Sequence, residues 1–208
     1  MKAQSNNPLP ASPLETVDKL LRLIDREVWI LTAAVGERRG GLLATWVSVA
    51  SIDPQRPVLL AGIAPNHFTA ELVQQSGRFV AHLLQPAQAA LAWNFANGSG
   101  RDRDKFAGLA TKNTPGNAPQ LMDCLAWFDC RVFSRYDAGD RLFFWADVVV
   151  AGESGQGAPL REQEFIRSLT DEQRKSLLVS RSADVAWQQP QHEAWRSSLK
   201  SQQVSQPQ

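Results

Sequence analysis

The 208-residue sequence predicts a mainly β protein, a small closed or nearly closed antiparallel barrel carrying peripheral helices. Three observations carry that reading. Three short apolar runs, Val28 to Val35, Leu42 to Ser51 and Val58 to Ala64, are separated only by Gly36-Glu37-Arg38-Arg39-Gly40-Gly41 and by Asp53-Pro54-Gln55-Arg56-Pro57, both turn-forming. Two further runs, Leu125 to Arg135 and Leu142 to Ala151, flank Asp137-Ala138-Gly139-Asp140, a good hairpin connection. No G-x-G-x-x-G follows any of these strands, which disfavours a βαβ dinucleotide fold.

The remaining elements follow from spacing and punctuation. Residues 1–13 are polar and Pro-rich and read as a flexible arm. Leu14, Val17, Leu20, Leu21 and Ile24 recur at helical spacing, predicting an amphipathic helix from Pro13 to Glu27, with Ser12 as its cap and Glu15 completing a capping box. Thr69 to Ser76 reads as a short helix stopped by Gly77, Phe79 to Leu84 as a strand, and Pro86 to Phe95 as a helix beginning with Pro. Residues 97–105 and 111–120 read as polar loops. Arg161 to Trp195 is helical in character, with Thr170 as a helix start and Pro190 as an interruption; residues 201–208 read as a disordered end. The predicted organisation is an arm at 1–13, a barrel domain with its N-terminal helix at 14–166, and a helical extension with a disordered tail at 167–208.

Charge and composition exclude several functions. There are 22 basic and 21 acidic side chains, a net of +1, which makes no case for binding nucleic acid or an anionic membrane surface. The longest apolar runs fall far short of a membrane span, and the N-terminus lacks an apolar stretch that would serve as a secretory signal. Two cysteines make no disulfide scaffold, and Cys124 and Cys130 lack the neighbours of a zinc site, so no metal is expected. The cytoplasm is the expected compartment. Seven tryptophans are many for this length, and part of that aromatic area is free to face a flat ligand or a partner.

The segment from Gly41 to Pro54, GLLATWVSVASIDP, resembles the signature of the flavin reductase-like, FMN-binding split-barrel family, whose pattern is roughly G-M-x-A-x-x-x-x-x-x-S-x-D-P-P. Gly41, Ala44, Ser51, Asp53 and Pro54 fill it. Further fragments follow in the family's order: His67 to Leu84, Asn94-Phe95-Ala96 with Asp104-Lys105-Phe106, Leu125 to Arg131, and Ala138-Gly139-Asp140. The resemblance covers residues 24–166 and implies an antiparallel Greek-key split β-barrel. Members include the small reductases of two-component monooxygenases, flavoredoxin-like proteins and reductase domains of flavodiiron proteins. Three positions depart from the pattern: Leu42 replaces a Met, the second Pro is displaced to Pro57, and Arg141 replaces a His that in reductases of the family lies near the flavin and the nicotinamide.

The resemblance implies FMN as cofactor, with FAD as the alternative, NADH or NADPH as co-substrate, a homodimer, and a monooxygenase or other electron-acceptor protein as partner. Hydride would pass from nicotinamide C4 to flavin N5, with no catalytic side chain assigned. The alternatives are an FMN-binding electron carrier reduced by a protein partner and a flavin-free interaction domain on the same barrel. Leu43, Ala44, Thr45, Trp46 and Ser48 would run along the flavin, with Ser51 approaching the phosphate; the plainer reading is a strand whose hydroxyls bond locally. Ala64, Asn66 and His67 would follow at the ring's edge, with His67 on the flavin rim or the nicotinamide, against a surface His at a helix start. Lys105 would meet the phosphate with Phe106 beside it, against a solvated loop of self-neutralising charges. Arg141 would contact the nicotinamide side, against a hairpin Arg in solvent paired with Asp137 or Asp140. The helical tail is expected to cover the neighbouring subunit's site. His82 and Cys130 read as packed interior groups.

Overall fold

A computed structural model describes residues 13–204. Residues 1–12 of the predicted arm, including Ser12, the expected cap of the first helix, lie outside the described residues, as do residues 205–208 of the tail. Nine strands run in chain order: β1 (Trp29–Val35), β2 (Arg38–Ala44), β3 (Val47–Val49), β4 (Val58–Ile63), β5 (Arg78–Leu83), β6 (Thr111–Asn113), β7 (Pro119–Leu121), β8 (Ala126–Asp137) and β9 (Leu142–Glu153). Seven form one antiparallel sheet in the order β2-β1-β5-β8-β9-β4-β3. β2 and β3 therefore stand at opposite edges, yet only Thr45 and Trp46 separate them. Three Cα steps reach roughly 11 Å at most. The sheet must curl until its edges nearly meet, and the split lies at Thr45-Trp46. The expected single strand Leu42 to Ser51 is broken there because the chain crosses from one edge to the other. The Gly62 N–H holds the crossing by donating to the Trp46 carbonyl at 2.8 Å.

Two apolar cores flank the sheet. Leu31, Ala33, Phe79, Ala81, Cys130, Phe144 and Ala146 fill the inside of the curl. Ile30, Leu84, Phe95, Phe106, Leu121, Leu160 and Phe165 form a second core on its outer face. β1 lies between them, so all of Trp29 to Ala33 is buried and its sequence shows no polar alternation.

That outer core contains the chief departure from the predicted elements. Residues 111–120 do not form a plain loop; they carry the β6–β7 hairpin. The hairpin docks on the sheet through polar contacts. Thr32 Oγ1 donates to the Pro119 carbonyl, and the Leu121 N–H donates to His82 Nε2 at 3.0 Å. His82 Nδ1 bonds the Ile30 carbonyl at 3.0 Å. With both ring nitrogens committed to the backbone, burial pushes the His82 pKa down to about 4.

Five α-helices surround the sheet: α1 (Pro13–Leu21), α2 (Phe68–Ser76), α3 (Ala89–Ala96), α4 (Glu162–Ser168) and α5 (Asp171–Val204). α2 ends at Gly77, whose φ of 65° suits glycine and whose N–H bonds the Val73 carbonyl. A 3₁₀ turn at Pro86–Gln88 precedes α3, splitting the expected helix in two. α1 stops six residues before the expected end, because the chain must straighten to bring the Val28 N–H onto the Leu160 carbonyl at 2.8 Å. None of its side chains is buried. α5 starts at the expected Thr170, whose hydroxyl accepts from the Gln173 N–H while the Gln173 side chain accepts from the Thr170 N–H. It does not break at Pro190 and reaches Val204, so residues 201–204 of the expected disordered end are helical. Pro190 is exposed, and its ring removes only the bond to the carbonyl one turn earlier. Among the described residues, no helix is long and apolar enough to cross a membrane.

Candidate active site

A cleft of about 140 Å³ opens at the split of the barrel, lined by Leu42, Leu43, Ala44, Thr45, Trp46, Gly62, Ile63, Ala64, His67 and Arg141. One wall is the end of β2 and the crossing; the floor is the end of β4, where chain direction changes into α2. β9 begins alongside, and its pairing of Phe143 with Gly62 fixes the opposite wall. Gly62 lets two rings approach closely there. A Cβ at that position would lie 3.1 Å from the Phe143 ring and 3.2 Å from the Trp46 ring. Trp46 stacks against Phe143 with centroids 6.3 Å apart and an interplanar angle of 17°. The Arg141 guanidinium lies 4.8 Å from the Trp46 ring centre.

Arg141 is neither a solvent side chain nor an ion-paired one. It is half-buried, its Nη1 donates to the Asp140 carbonyl at 2.8 Å, and burial lowers its pKa against the opposing pull of Asp140 and Asp184. A guanidinium stays charged under any such shift, so the cleft keeps a fixed cation.

His67 and Asn66 form the rim. Asn66 Nδ2 donates to Asp184 Oδ1 at 3.1 Å, and His67 Nε2 lies 3.7 Å from Asp184 Oδ2. Asp184 belongs to α5, 118 residues away from Asn66 in sequence. His67, and then Asn66, hold the Asp184 carboxyl below the usual carboxylate range despite partial burial; the Arg141 charge adds to this. α5 also presses on the β8–β9 hairpin. A Cβ on Gly139 would lie 2.4 Å from the Gln191 carbonyl, and Trp195 meets the edge of the Tyr136 ring at 6.3 Å. The tail expected over a neighbouring subunit's site thus lies against the mouth of its own.

The structure brings Leu43, Ala44, Thr45, Trp46, Ala64, His67 and Arg141 to one cleft, with Asn66 on its rim. Ser48 and Ser51 lie further along the chain, outside the lining. The Ser48 hydroxyl bonds its neighbour's carbonyl, and Ser51 Oγ accepts the Asp53 N–H within its own turn. Lys105 and Phe106 lie outside the cleft lining. Lys105 is 4% exposed, its Nζ donates to the Phe95 carbonyl at 2.8 Å, and burial lowers its pKa to about 8. It caps the C-terminal end of α3. Phe106 is 2% exposed and packs edge-on against Phe95 at 5.4 Å. Asp184 and Phe143 were missed in the sequence reading.

The lining is mixed: Leu42, Ala44, Ile63, Ala64 and Trp46 are apolar, Thr45 and His67 carry hydrogen-bonding groups, and Arg141 supplies one cation. A flavin has those three characters: an apolar tricycle, a polar edge and an anionic tail.

The flavin reductase like domain family matches residues 21–163. The chain belongs to that family. It is accordingly a flavin-linked oxidoreductase domain, and α5 lies wholly beyond the matched region. It is 32% identical over 133 residues to diflavin flavoprotein A 1 of Synechocystis sp., covering 64% of this chain and 23% of that protein. It is 32% identical over 144 residues to the high molecular weight rubredoxin of Moorella thermoacetica, covering 68% of this chain and 62% of that one. The chain therefore spans about a quarter of the diflavin protein. Among solved structures, a homologue of nitrilotriacetate monooxygenase component B from Mycobacterium thermoresistibile superposes with a TM-score of 0.63 at 25% identity, covering 71% of this chain and 81% of that one. The flavin reductase component of a bacterial two-component tryptophan halogenase shares the fold with a TM-score of 0.63 at 22% identity, covering 72% and 93%.

Proposed function

We propose that the chain binds FMN in the cleft at the barrel split and reduces it with NADH or NADPH. The observation that carries this reading is the convergence of an apolar wall, a stacked Trp46, a rim histidine and the Arg141 cation on one opening. FMN held by these residues would supply the redox chemistry, that of a hydride acceptor for the nicotinamide. The protein's part is positional. Leu43 to Trp46 hold one face of the ring and exclude water, His67 offers a hydrogen bond at the rim, and Arg141 offers its charge to an anionic group.

We assign the exposed apolar face of α1 to a homodimer. Leu14, Val17, Leu20 and Leu21 of α1, with Leu23 and Ile24 just after it, are 51–81% exposed, an apolar stripe left open by the described residues. Two copies should elute together in size-exclusion chromatography with light scattering, and Leu20→Glu with Leu21→Glu should yield monomers.

A second reading is an electron carrier reduced by a protein partner. Arg141 in place of the family's histidine favours it, and so does the kinship with diflavin proteins and a rubredoxin, in which such a domain is one part of a longer chain. Anaerobic absorbance spectra with added FMN separate the two. Bleaching of the bound-flavin band by NADH or NADPH supports the reductase and names its donor. A bound flavin bleached by dithionite but by neither nucleotide supports the carrier.

A further inference from the structure

Beyond its first turns, α5 presents one continuous stripe to the rest of the chain. Leu177 packs on the outer core, and Asp184, Gln188, His192, Trp195 and Leu199 are the buried or half-buried positions between residues 181 and 200. Their spacing of 4, 4, 3 and 4 is that of one helix face. The same stripe contacts both structures that frame the cleft. Asp184 takes Asn66 and His67 at the end of β4, and Gln191 and Trp195 meet Gly139 and Tyr136 on the β8–β9 hairpin that carries Arg141.

Among the described residues, Asn66 Oδ1 on the cleft rim and Gln188 Nε2, one turn along α5 from Asp184, are buried polar atoms with no hydrogen-bond partner. Each costs stability unless a ligand or water meets it.

We propose that α5 is the outer wall of this chain's own cleft and that Asp184 is a positioning residue, holding Asn66 and His67 so that the imidazole meets the bound ligand. The inference rests on the flavin reading of the cleft. Asp184 does not touch the ligand in this scheme. It removes the freedom of the 64–67 turn, which is otherwise tied by the His67 N–H to the Ala64 carbonyl and by Arg101 Nη1 to the Asn66 carbonyl. With one carboxylate oxygen bonded to Asn66 and the other 3.7 Å from His67 Nε2, the carboxylate restricts the imidazole's orientation before the ligand arrives.

The test uses the full chain and FMN binding measured by quenching of flavin fluorescence, so that it does not depend on turnover. Asp184→Ala should raise the FMN Kd about tenfold, as should His67→Ala, and the double variant should remain about tenfold rather than reach about a hundredfold, because both changes remove one coupled unit. Asp184→Asn keeps an acceptor for Asn66 and the same volume, and should raise Kd a few-fold with the urea midpoint unchanged. Wild-type affinity in Asp184→Asn and Asp184→Ala, or a double variant showing the product of the two single effects, overturns the positioning role while leaving the flavin site intact. A wild-type chain that does not bind FMN overturns the reading of the cleft itself.

Discussion

Two histidines, one within the sheet and one at the start of α2, mark two kinds of region. His82 lies in β5 under the β6–β7 hairpin, wholly buried, with Ile30 and Leu121 occupying its two nitrogens. His67 lies at the barrel split, its side chain 39% exposed, with a carboxylate 3.7 Å away and a cleft in front. The outer core is closed by backbone groups that the chain supplies in fixed positions. The split is closed by side chains from a helix that lies beyond the matched family region. The difference teaches that a polar side chain satisfied entirely by backbone is structural, whereas one satisfied by a distant side chain and open on its other side is available for binding.

The largest expected effect falls on the closed region. His82 titrates near pH 4 when folded, against 6.5 for the free group. The unfolded chain therefore binds the extra proton first as the pH falls, so stability is fully present above about 6.5 and is lost between 6.5 and 4. The shift corresponds to about 3 kcal/mol. Urea titrations from pH 7.5 to 4 should show this loss, and His82→Leu should flatten it while costing roughly 3 kcal/mol at neutral pH by stranding the Ile30 carbonyl and the Leu121 N–H. An acid limb that survives in His82→Leu assigns it to carboxylates instead.

Glycine substitution sharpens the same contrast at a smaller scale. A Cβ on Gly41 would lie 2.5 Å from Phe95 and 3.3 Å from the Leu31 carbonyl, and Phe95 is 1% exposed and pinned by Phe106. Gly41→Ala should cost about 2 kcal/mol, because nothing around it can give. A Cβ on Gly62 meets Phe143 and the exposed Trp46, which can move. Gly62→Ala should cost under about 1 kcal/mol but displace Trp46, seen as a change in tryptophan emission and weaker FMN binding. Equal losses of stability at both positions would show the split to be as rigid as the core.

Most of the barrel was legible because β1, β4, β5 and β9 are largely apolar runs beside turn-formers, whereas Arg38 to Gly41, read as a turn, is the polar first half of β2. The β6–β7 hairpin was not legible. Its strands are three residues long, mostly polar, and stabilised by His82 and Thr32 from distant strands. Much of the cleft wall, Leu43 to Trp46 with Ala64, could be placed because it is continuous with signature residues. Asp184 could not, since an aspartate in a polar helix carries no local mark; its partners lie 117 and 118 residues earlier. The one available signal was the spacing of Leu177, Asp184, Gln188, Trp195 and Leu199. Arg141 stands out in the sequence only against the pattern it resembles, and only the structure shows it lying against Trp46.

The smallest expected effect concerns the two cations that sequence alone cannot rank. Lys105 and Arg141 were both candidates for an anionic group. Lys105 points inward onto the Phe95 carbonyl, and Arg141 stands in the cleft. Lys105→Met trades a buried ammonium and its bond for a thioether of similar length; the relief of desolvation and the lost bond oppose each other, so stability should change by no more than about 1 kcal/mol. FMN and riboflavin affinities should both stay within about twofold of the wild type, since neither loses a contact. Arg141→Ala should weaken FMN by about tenfold and riboflavin less, because only FMN carries the phosphate whose charge the guanidinium meets. If Lys105→Met instead selectively weakens FMN, the side chain leaves Phe95 for the phosphate on binding, and the 101–106 loop joins the site. Equal weakening of both flavins in Arg141→Ala would assign Arg141 to the ring through Trp46 rather than to the anion.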